Sequence, residues 1–317
     1  MKLRAVLVAV SALLLATGCG AAEGASGGDG RTLRIGIISP RNHLYNPIGY
    51  LHEKGELLKL LKPAGVRDIR VIGFGKGPDL NQALLAGSLD VGIIGDTPGI
   101  VAKSQEVDTR LIGQDRLGMD AAIVTGKNGP TAVKELTGKR IGTTTGGYTH
   151  RYLRGVLSAY GVKAEIQNVP AQDQFSALES GSVDAVATAL ESALLIAEKG
   201  DGFHVIDSTE KRPELRGHSI VVAPASFVEK HPEFPKVWRA ATDTAAKAAL
   251  ADWKGFLAFH AKNRGYSVEI TTKAARKDQY SAAQLSPELL KGLEDTKTFL
   301  LQEKYIKDDF EIDDWVS

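Results

Sequence analysis

The stretch from Asp79 to Ala102, DLNQALLAGSLDVGIIGDTPGIVA, constrains the fold more than any other part of the chain, because it returns in outline 94 residues later. Asp79 can cap a helix whose Leu80, Ala83 and Leu84 share one face, and Gly87 can take the left-handed turn that ends it. Val91 to Ile94 is then an apolar run suited to a strand covered on both faces. It runs into Gly95-Asp96-Thr97-Pro98, where a strand stops and a helix begins with its amides unpaired. In the second copy, Asp173, Ala177, Leu178, Gly181, Ser182 and Asp184 repeat Asp79, Ala83, Leu84, Gly87, Ser88 and Asp90, and a small-residue strand follows at Ala185 to Ala189. Arg34-Ile35-Gly36 and Arg140-Ile141-Gly142 each open a half with a strand of their own. Such a segment is also a common way to build an αβ corner; its recurrence adds two equivalent strand ends. The expected fold is α/β with two similar lobes. Ligands of open α/β sheets sit at the carboxyl edges of the strands, so the two edges can face each other across a cleft.

A chain of 317 residues, 43% hydrophobic and 24% charged, can bury a core in each of two lobes. Its net charge of +1 supplies no bulk field for nucleic acid or anionic lipid. Met1 to Arg4 carries two positive charges, Ala5 to Ala16 is an apolar run too short to span a bilayer, and Ala16-Thr17-Gly18-Cys19 follows. This resembles a bacterial lipoprotein signal cleaved before Cys19, whose thiol would carry the lipid, with Ala16 where leucine is usual. An ordinary signal peptide with a passenger cysteine is the alternative. Gly20 to Gly30 is a flexible polar tether, and with no other cysteine the folded part can form no internal disulfide. The leader implies an extracytoplasmic protein, anchored by lipid to the cell membrane.

Leu33 to Ile38 reads as the first strand, and the polar loop after it offers Asn42 and His43 as ligand contacts. Ile48 to Leu61 reads as helix. Asp68 to Ile72 is a second strand followed by Gly73-Phe74-Gly75-Lys76-Gly77, which lacks the third glycine of a dinucleotide fingerprint; Phe74 or Lys76 can be presented to a ligand there. Thr109 to Gly113 and Ala121 to Thr125 read as separate strands with Gln114, Asp115, Arg116 and Asp120 between them, Arg116 being a candidate contact. Gly126 to Thr131 reads as a crossing into the second lobe, which starts at Lys139 to Thr144. The run Thr143-Thr144-Thr145-Gly146-Gly147-Tyr148-Thr149 precedes a helix from Arg151 to Tyr160. Thr144, Thr145, Gly147, Tyr148 and Thr149 can offer hydroxyls and free amides to an anion or polar head, beyond the one threonine a helix cap needs. Glu191 either meets a ligand amine or sits favourably in a helix's first turn. Ile220 to Ala223 is the expected return strand. From Ala225 on the chain reads as largely helical, with a core stripe of Trp238, Ala241, Ala245, Ala248 and Ala249 and a solvated acidic end at Asp308 to Asp314.

Three segments carry a family resemblance: LLAGSLDVGIIGDTP at 84–98, ELTGKRIGTTTGG at 135–147 and LESGSVDAV at 178–186. In this order and spacing the chain resembles substrate-binding lipoproteins of ABC importers, the family that includes binding proteins for aliphatic sulfonates, taurine, nitrate and thiamine-pyrimidine precursors. The resemblance implies a two-lobe, periplasmic-binding-protein-like fold of type II, each lobe a mainly parallel sheet flanked by helices, the two joined by two crossing strands. It implies no chemistry and no cofactor or metal. The implied partners are a small-molecule ligand and a membrane permease with its ATPase. The lobes are expected at 31–122 with 222–317, and at 123–221, after a leader of 1–18 and a linker of 19–30. The family's GDTPP ligand-contact loop falls on Asp96, Thr97 and Pro98, with Gly99 in place of a second proline, which makes Asp96 and Thr97 candidate contacts. Its GSNVH element falls on Gly146, Gly147, Tyr148, Thr149 and His150, and its tryptophan-acid-proline element is replaced around Ala189, Leu190 and Glu191. An enzyme on the same fold is the alternative, but the one cysteine is assigned to the leader and the histidines form no HxH or HExxH pair. A lipoprotein that presents its ligand to a sensor is another.

Overall fold

The computed structural model describes residues 30–280 and 285–317. The expected leader, the lipid-bearing Cys19 and the tether as far as residue 29 lie outside the described residues.

In the first lobe β1 (Arg31–Ile38) leads to the short helices α1 (Pro47–Glu53) and α2 (Leu57–Leu61), then β2 (Val66–Phe74), α3 (Gly77–Leu85), β3 (Val91–Gly95), α4 (Asp96–Ser104) and β4 (Thr109–Met119). The chain then builds a second sheet from β5 (Ala121–Thr125), β6 (Arg140–Thr143), α5 (Tyr148–Tyr160), β7 (Glu165–Asn168), α6 (Gln174–Glu179), β8 (Ala185–Ala189), α7 (Leu190–Lys199) and β9 (His204–Ser208). It returns through β10 (Gly217–Pro224) to the first sheet and ends in α8 (Ala225–Lys230), α9 (Phe234–Ala251), α10 (Trp253–Arg264), α11 (Val268–Ala274), α12 (Pro287–Gln302) and α13 (Ile312–Trp315). The sheet orders are β2-β1-β3-β10-β4 and β7-β6-β8-β5-β9. In each sheet the strand that arrives from the other half, β10 or β5, runs antiparallel to both its neighbours, and the remaining four run one way. These are two mainly parallel, two-sided sheets, as the repeat implies.

Both faces of each sheet are covered, which is why the strands read as apolar runs rather than alternations. In the first lobe Leu33, Ile35 and Ile37 pack under Ile48, Leu51, Phe234 and Trp238, while Leu80, Leu84, Ile220 and Trp315 fill the other face. In the second, Ile123 and Ile141 pack on Tyr152, Leu153 and Val156, and Val124 and Val186 on Leu178 and Ile196. Trp238, Ala241, Ala245 and Ala249 form the expected buried stripe.

The repeated Asp and Arg residues have a structural use. Asp90 accepts from the Arg34 backbone N–H at 2.8 Å and from its guanidinium, which also donates to the Gly87 carbonyl at 2.7 Å. Asp184 does the same with Arg140, at 2.8 Å from the backbone N–H, and that guanidinium donates to the Gly181 carbonyl at 2.8 Å. The two glycines hold left-handed φ angles of 67° and 70° that a side chain resists. The motif therefore clamps each helix-to-strand corner onto the first strand of its own sheet.

Several local expectations are corrected. Gly55, at φ 70°, splits the helix expected over 48–61 into α1 and α2. α3 begins at Gly77 with Lys76 at its cap, so Asp79 lies in its first turn. β4 continues through Gln114, Asp115 and Arg116 to Met119, pairing with β10 through three register shifts. Those polar side chains looked like a loop, yet each has a partner from another element, so the sheet tolerates them. The chain changes sheets at Asp120, before β5, and Gly126 to Thr131 follows a strand already paired with β8 and β9.

Candidate functional site

Sequence-distant side chains converge where the carboxyl-end edges of the two sheets meet. Arg116 reaches from β4 and is 9% exposed. Its guanidinium donates to Gln279 Oε1 at 2.9 Å and approaches Glu191 Oε1, in the first turn of α7, at 3.4 Å. α10 brings two more groups to the same carboxylate: His260 Nε2 at 3.2 Å and Arg264 Nη2 at 3.8 Å. Tyr45, Tyr148, Tyr266 and Tyr280 surround this centre, Arg116 lying over the Tyr280 ring and Arg264 over those of Tyr45 and Tyr266. A hollow of about 10 Å³ remains, lined by Arg116, Asp120, Tyr148 and Glu191 among others.

The electrostatics favour an anion. Burial pushes the Glu191 carboxyl up, but Arg116, the His260 hydrogen bond and Arg264 outweigh it and hold the group well below the usual carboxylate range. Burial raises the Tyr148 and Tyr280 phenols, which stay protonated donors. His260 is lowered by burial, with Arg116 and Arg264 adding to the effect against the pull of Glu191. Its Nδ1 faces the Tyr45 carbonyl at 2.9 Å, and a neutral ring has one N–H, enough for that carbonyl or for Glu191 but not both. Two permanent cations thus face Glu191, and among the described residues the Tyr280 hydroxyl and Arg264 Nε have no hydrogen-bond partner.

Asp120 fixes the joint between the lobes. Its carboxylate accepts from Thr209 Oγ1 at 2.8 Å and Arg216 Nε at 2.9 Å, both on the return crossing, and from Arg276 and Gln279 of the C-terminal segment. Tyr148 packs its ring where a Cβ on Gly217 would fall, 2.5 Å away, and donates its hydroxyl to the Asp120 carbonyl at 3.3 Å.

The residues singled out in the sequence separate into two groups. Arg116, Tyr148 and Glu191 meet at the basic centre. Asp96 and Thr97 are buried at the start of α4 with their polar atoms engaged: Asp96 accepts from Arg151, the His218 N–H and Thr296, and the Thr97 hydroxyl donates to Asp96 at 3.0 Å. Arg151 and Asp96 form a buried ion pair across the lobes at 3.3 Å. The loop at 144–149 does approach the first lobe, since a Cβ on Gly146 would touch Pro78 at 3.8 Å. Its side chains are turned to local use: Thr144 donates to the Val169 carbonyl, Thr145 to Asn168, and Thr149 bonds Thr143. Gly147 caps α5. Asn42 accepts from the Gly73 N–H at 2.8 Å, His43 is exposed, and Phe74 is half-buried against the first lobe's core. Sequence reasoning missed His260, Arg264 and Tyr280, which lie in the C-terminal region read only as largely helical.

The chain is similar to several known proteins. A Bacillus subtilis (strain 168) protein named for binding aliphatic sulfonates is 27% identical over 237 residues, 73% of this chain and 69% of its own length. The taurine-binding periplasmic protein of Escherichia coli (strain K12) is 29% identical over 187 residues, 56% of this chain and 57% of its own. Among solved structures, the alkanesulfonate-binding protein SsuA from Xanthomonas axonopodis pv. citri, bound to MOPS, shares the fold with a TM-score of 0.73 at 20% identity, over 90% of this chain and 98% of that one. The family model described as NMT1/THI5 like matches residues 68–254, a span that holds both copies of the repeat, both crossings and the Arg116 and Glu191 side of the basic centre. The chain belongs to the NMT1/THI5-like family.

Proposed function

We propose that the protein is the extracytoplasmic solute-binding component of an ABC importer, capturing a small solute with an anionic head, an aliphatic sulfonate or a taurine-like molecule, between its lobes. The supporting observation is the basic centre, where Arg116 of β4 and Arg264 of α10 converge on Glu191 and Tyr148 of the second lobe. Planar guanidiniums suit a multi-oxygen anion, which can take bidentate bonds from them. The unpartnered Tyr280 hydroxyl supplies a further donor, and Glu191 is placed to receive the ammonium of a taurine-like ligand. The first lobe is taken as 30–119 with 217–317 and the second as 121–208, hinged at Asp120 and at 209–216. Capture is coupled to movement of these lobes about the hinge, the permease and its ATPase take the solute onward, and Cys19 carries the lipid that keeps the receptor at the membrane. A thermal-shift screen with alkanesulfonates, taurine, nitrate and pyrimidines tests the reading. A sulfonate or taurine is expected to raise the melting temperature; no response to any member of the panel would overturn it.

A further inference from the structure

Glu191 belongs to the second lobe, and the three cationic or imidazole groups around it, Arg116, His260 and Arg264, all belong to the first. We propose that Glu191 is a built-in competitor of the ligand: in the ligand-free protein its carboxylate occupies the basic centre and adds to the contacts that hold the lobes together, and an anionic ligand binds by taking Arg116 and Arg264 from it. This deepens the solute-receptor reading and rests on it for the identity of the displacing molecule.

Three observations carry the inference. Glu191 is 4% exposed, and the hollow beside it holds about 10 Å³, far below the roughly 300 Å³ at which ligand pockets begin. A solute therefore enters this centre when the carboxylate withdraws with its lobe. The carboxylate also serves the cations poorly. Its separations from Arg116 and Arg264, 3.4 and 3.8 Å, exceed the roughly 2.7–2.9 Å of a tight charged hydrogen bond, and Arg264 Nε is left without a partner among the described residues. An anion with three oxygens can serve both guanidiniums at once, so exchange is favourable. The neighbouring contact across the lobes, Ser192 Oγ to the Tyr266 hydroxyl at 2.8 Å, joins neutral groups, while the charged pairs Arg151–Asp96 and Arg154–Glu303, at 3.3 and 2.7 Å, cross the lobes away from the basic centre and do not involve Glu191.

Small-angle scattering of the ligand-free protein and calorimetric titration with ethanesulfonate, applied to the full chain and its variants, test this. Glu191→Gln keeps the shape and removes the charge; its ligand-free radius of gyration is expected to exceed that of the wild type. Its affinity for ethanesulfonate should rise about tenfold if the latched form outweighs the open one by about ten to one. Taurine should gain less, having lost the partner of its amine. Arg264→Gln should also enlarge the ligand-free protein while weakening ethanesulfonate, a pairing that a merely structural ion pair does not produce. If Glu191→Gln does not fold, Glu191→Asp, which keeps the charge and shortens its reach, should shift both readouts in the same direction by less. An unchanged radius together with unchanged or weaker ethanesulfonate binding in Glu191→Gln would overturn the proposal. Enlargement of Glu191→Gln in a protein that binds no solute would leave the latch standing and remove the receptor reading. Ethanesulfonate binding by the wild type without any enlargement would remove the latch alone.

Discussion

At the scale of single residues, what distinguishes the basic centre is that the Glu191 carboxylate alone faces both the Arg116 and Arg264 guanidiniums. Asp96 is fully buried but has Arg151, a backbone N–H and the hydroxyls of Thr97 and Thr296 around it, so it acts as a structural anchor across the lobes. Glu191 has more positive charge around it than it neutralises. His260 adds a pH dependence to the fold. Burial lowers it from 6.5, and the same cause lowers His52, His150, His218 and His231. A lowered folded-state value means the unfolded chain binds more protons below pH 6.5. The stabilisation is therefore complete above that value and is lost as pH falls through the folded-state values. The thermal midpoint is expected to be level above about pH 7 and to fall on acidification below pH 6.5, with a shallower fall in His260→Asn. A midpoint that climbs on acidification through this range would contradict the assignment.

At the scale of elements, the repeat was the legible part. The corner glycines, the apolar strands and the helix starts at Asp96 and Tyr148 follow from local chemistry that a sequence displays directly. The repeated Asp and Arg were visible too, but their pairing was not, because Asp90 and Arg34 are neighbours through strand order and not through spacing. The equivalence of the clamps makes a quantitative expectation. Asp90→Ala and Asp184→Ala each remove an acceptor used by a backbone N–H and a guanidinium, and each should cost about 1–3 kcal/mol in urea unfolding. A loss in one lobe with none in the other would show that the copies are not doing the same job. β4 was misread for the converse reason: Gln114, Asp115 and Arg116 look like loop residues until Ser286, Asn46, Gln279 and Glu191 arrive from elsewhere to satisfy them.

At the scale of the whole molecule, the function depends on parts that no local pattern connects. The sequence placed Arg116, Tyr148 and Glu191 among its candidates, and the fold brings these three together. Thr97 and the threonines at 144–149, singled out on the same grounds, spend their hydroxyls on their own lobes. His260, Arg264 and Tyr280 were illegible because they come from the C-terminal helical region, which carries no motif and reaches the cleft by packing over the first lobe. Asp120 gathers the return crossing and the C-terminal segment, so motion about the proposed hinge there would act on the entire basic centre. The central claim, that this centre captures an anionic solute, is tested most directly by calorimetric titration of taurine and ethanesulfonate into the wild type and Arg116→Met. The account predicts saturable binding of at least one of them by the wild type and a loss of tenfold or more, about 1.4 kcal/mol or greater, in the variant; equal affinity in the two proteins would contradict it.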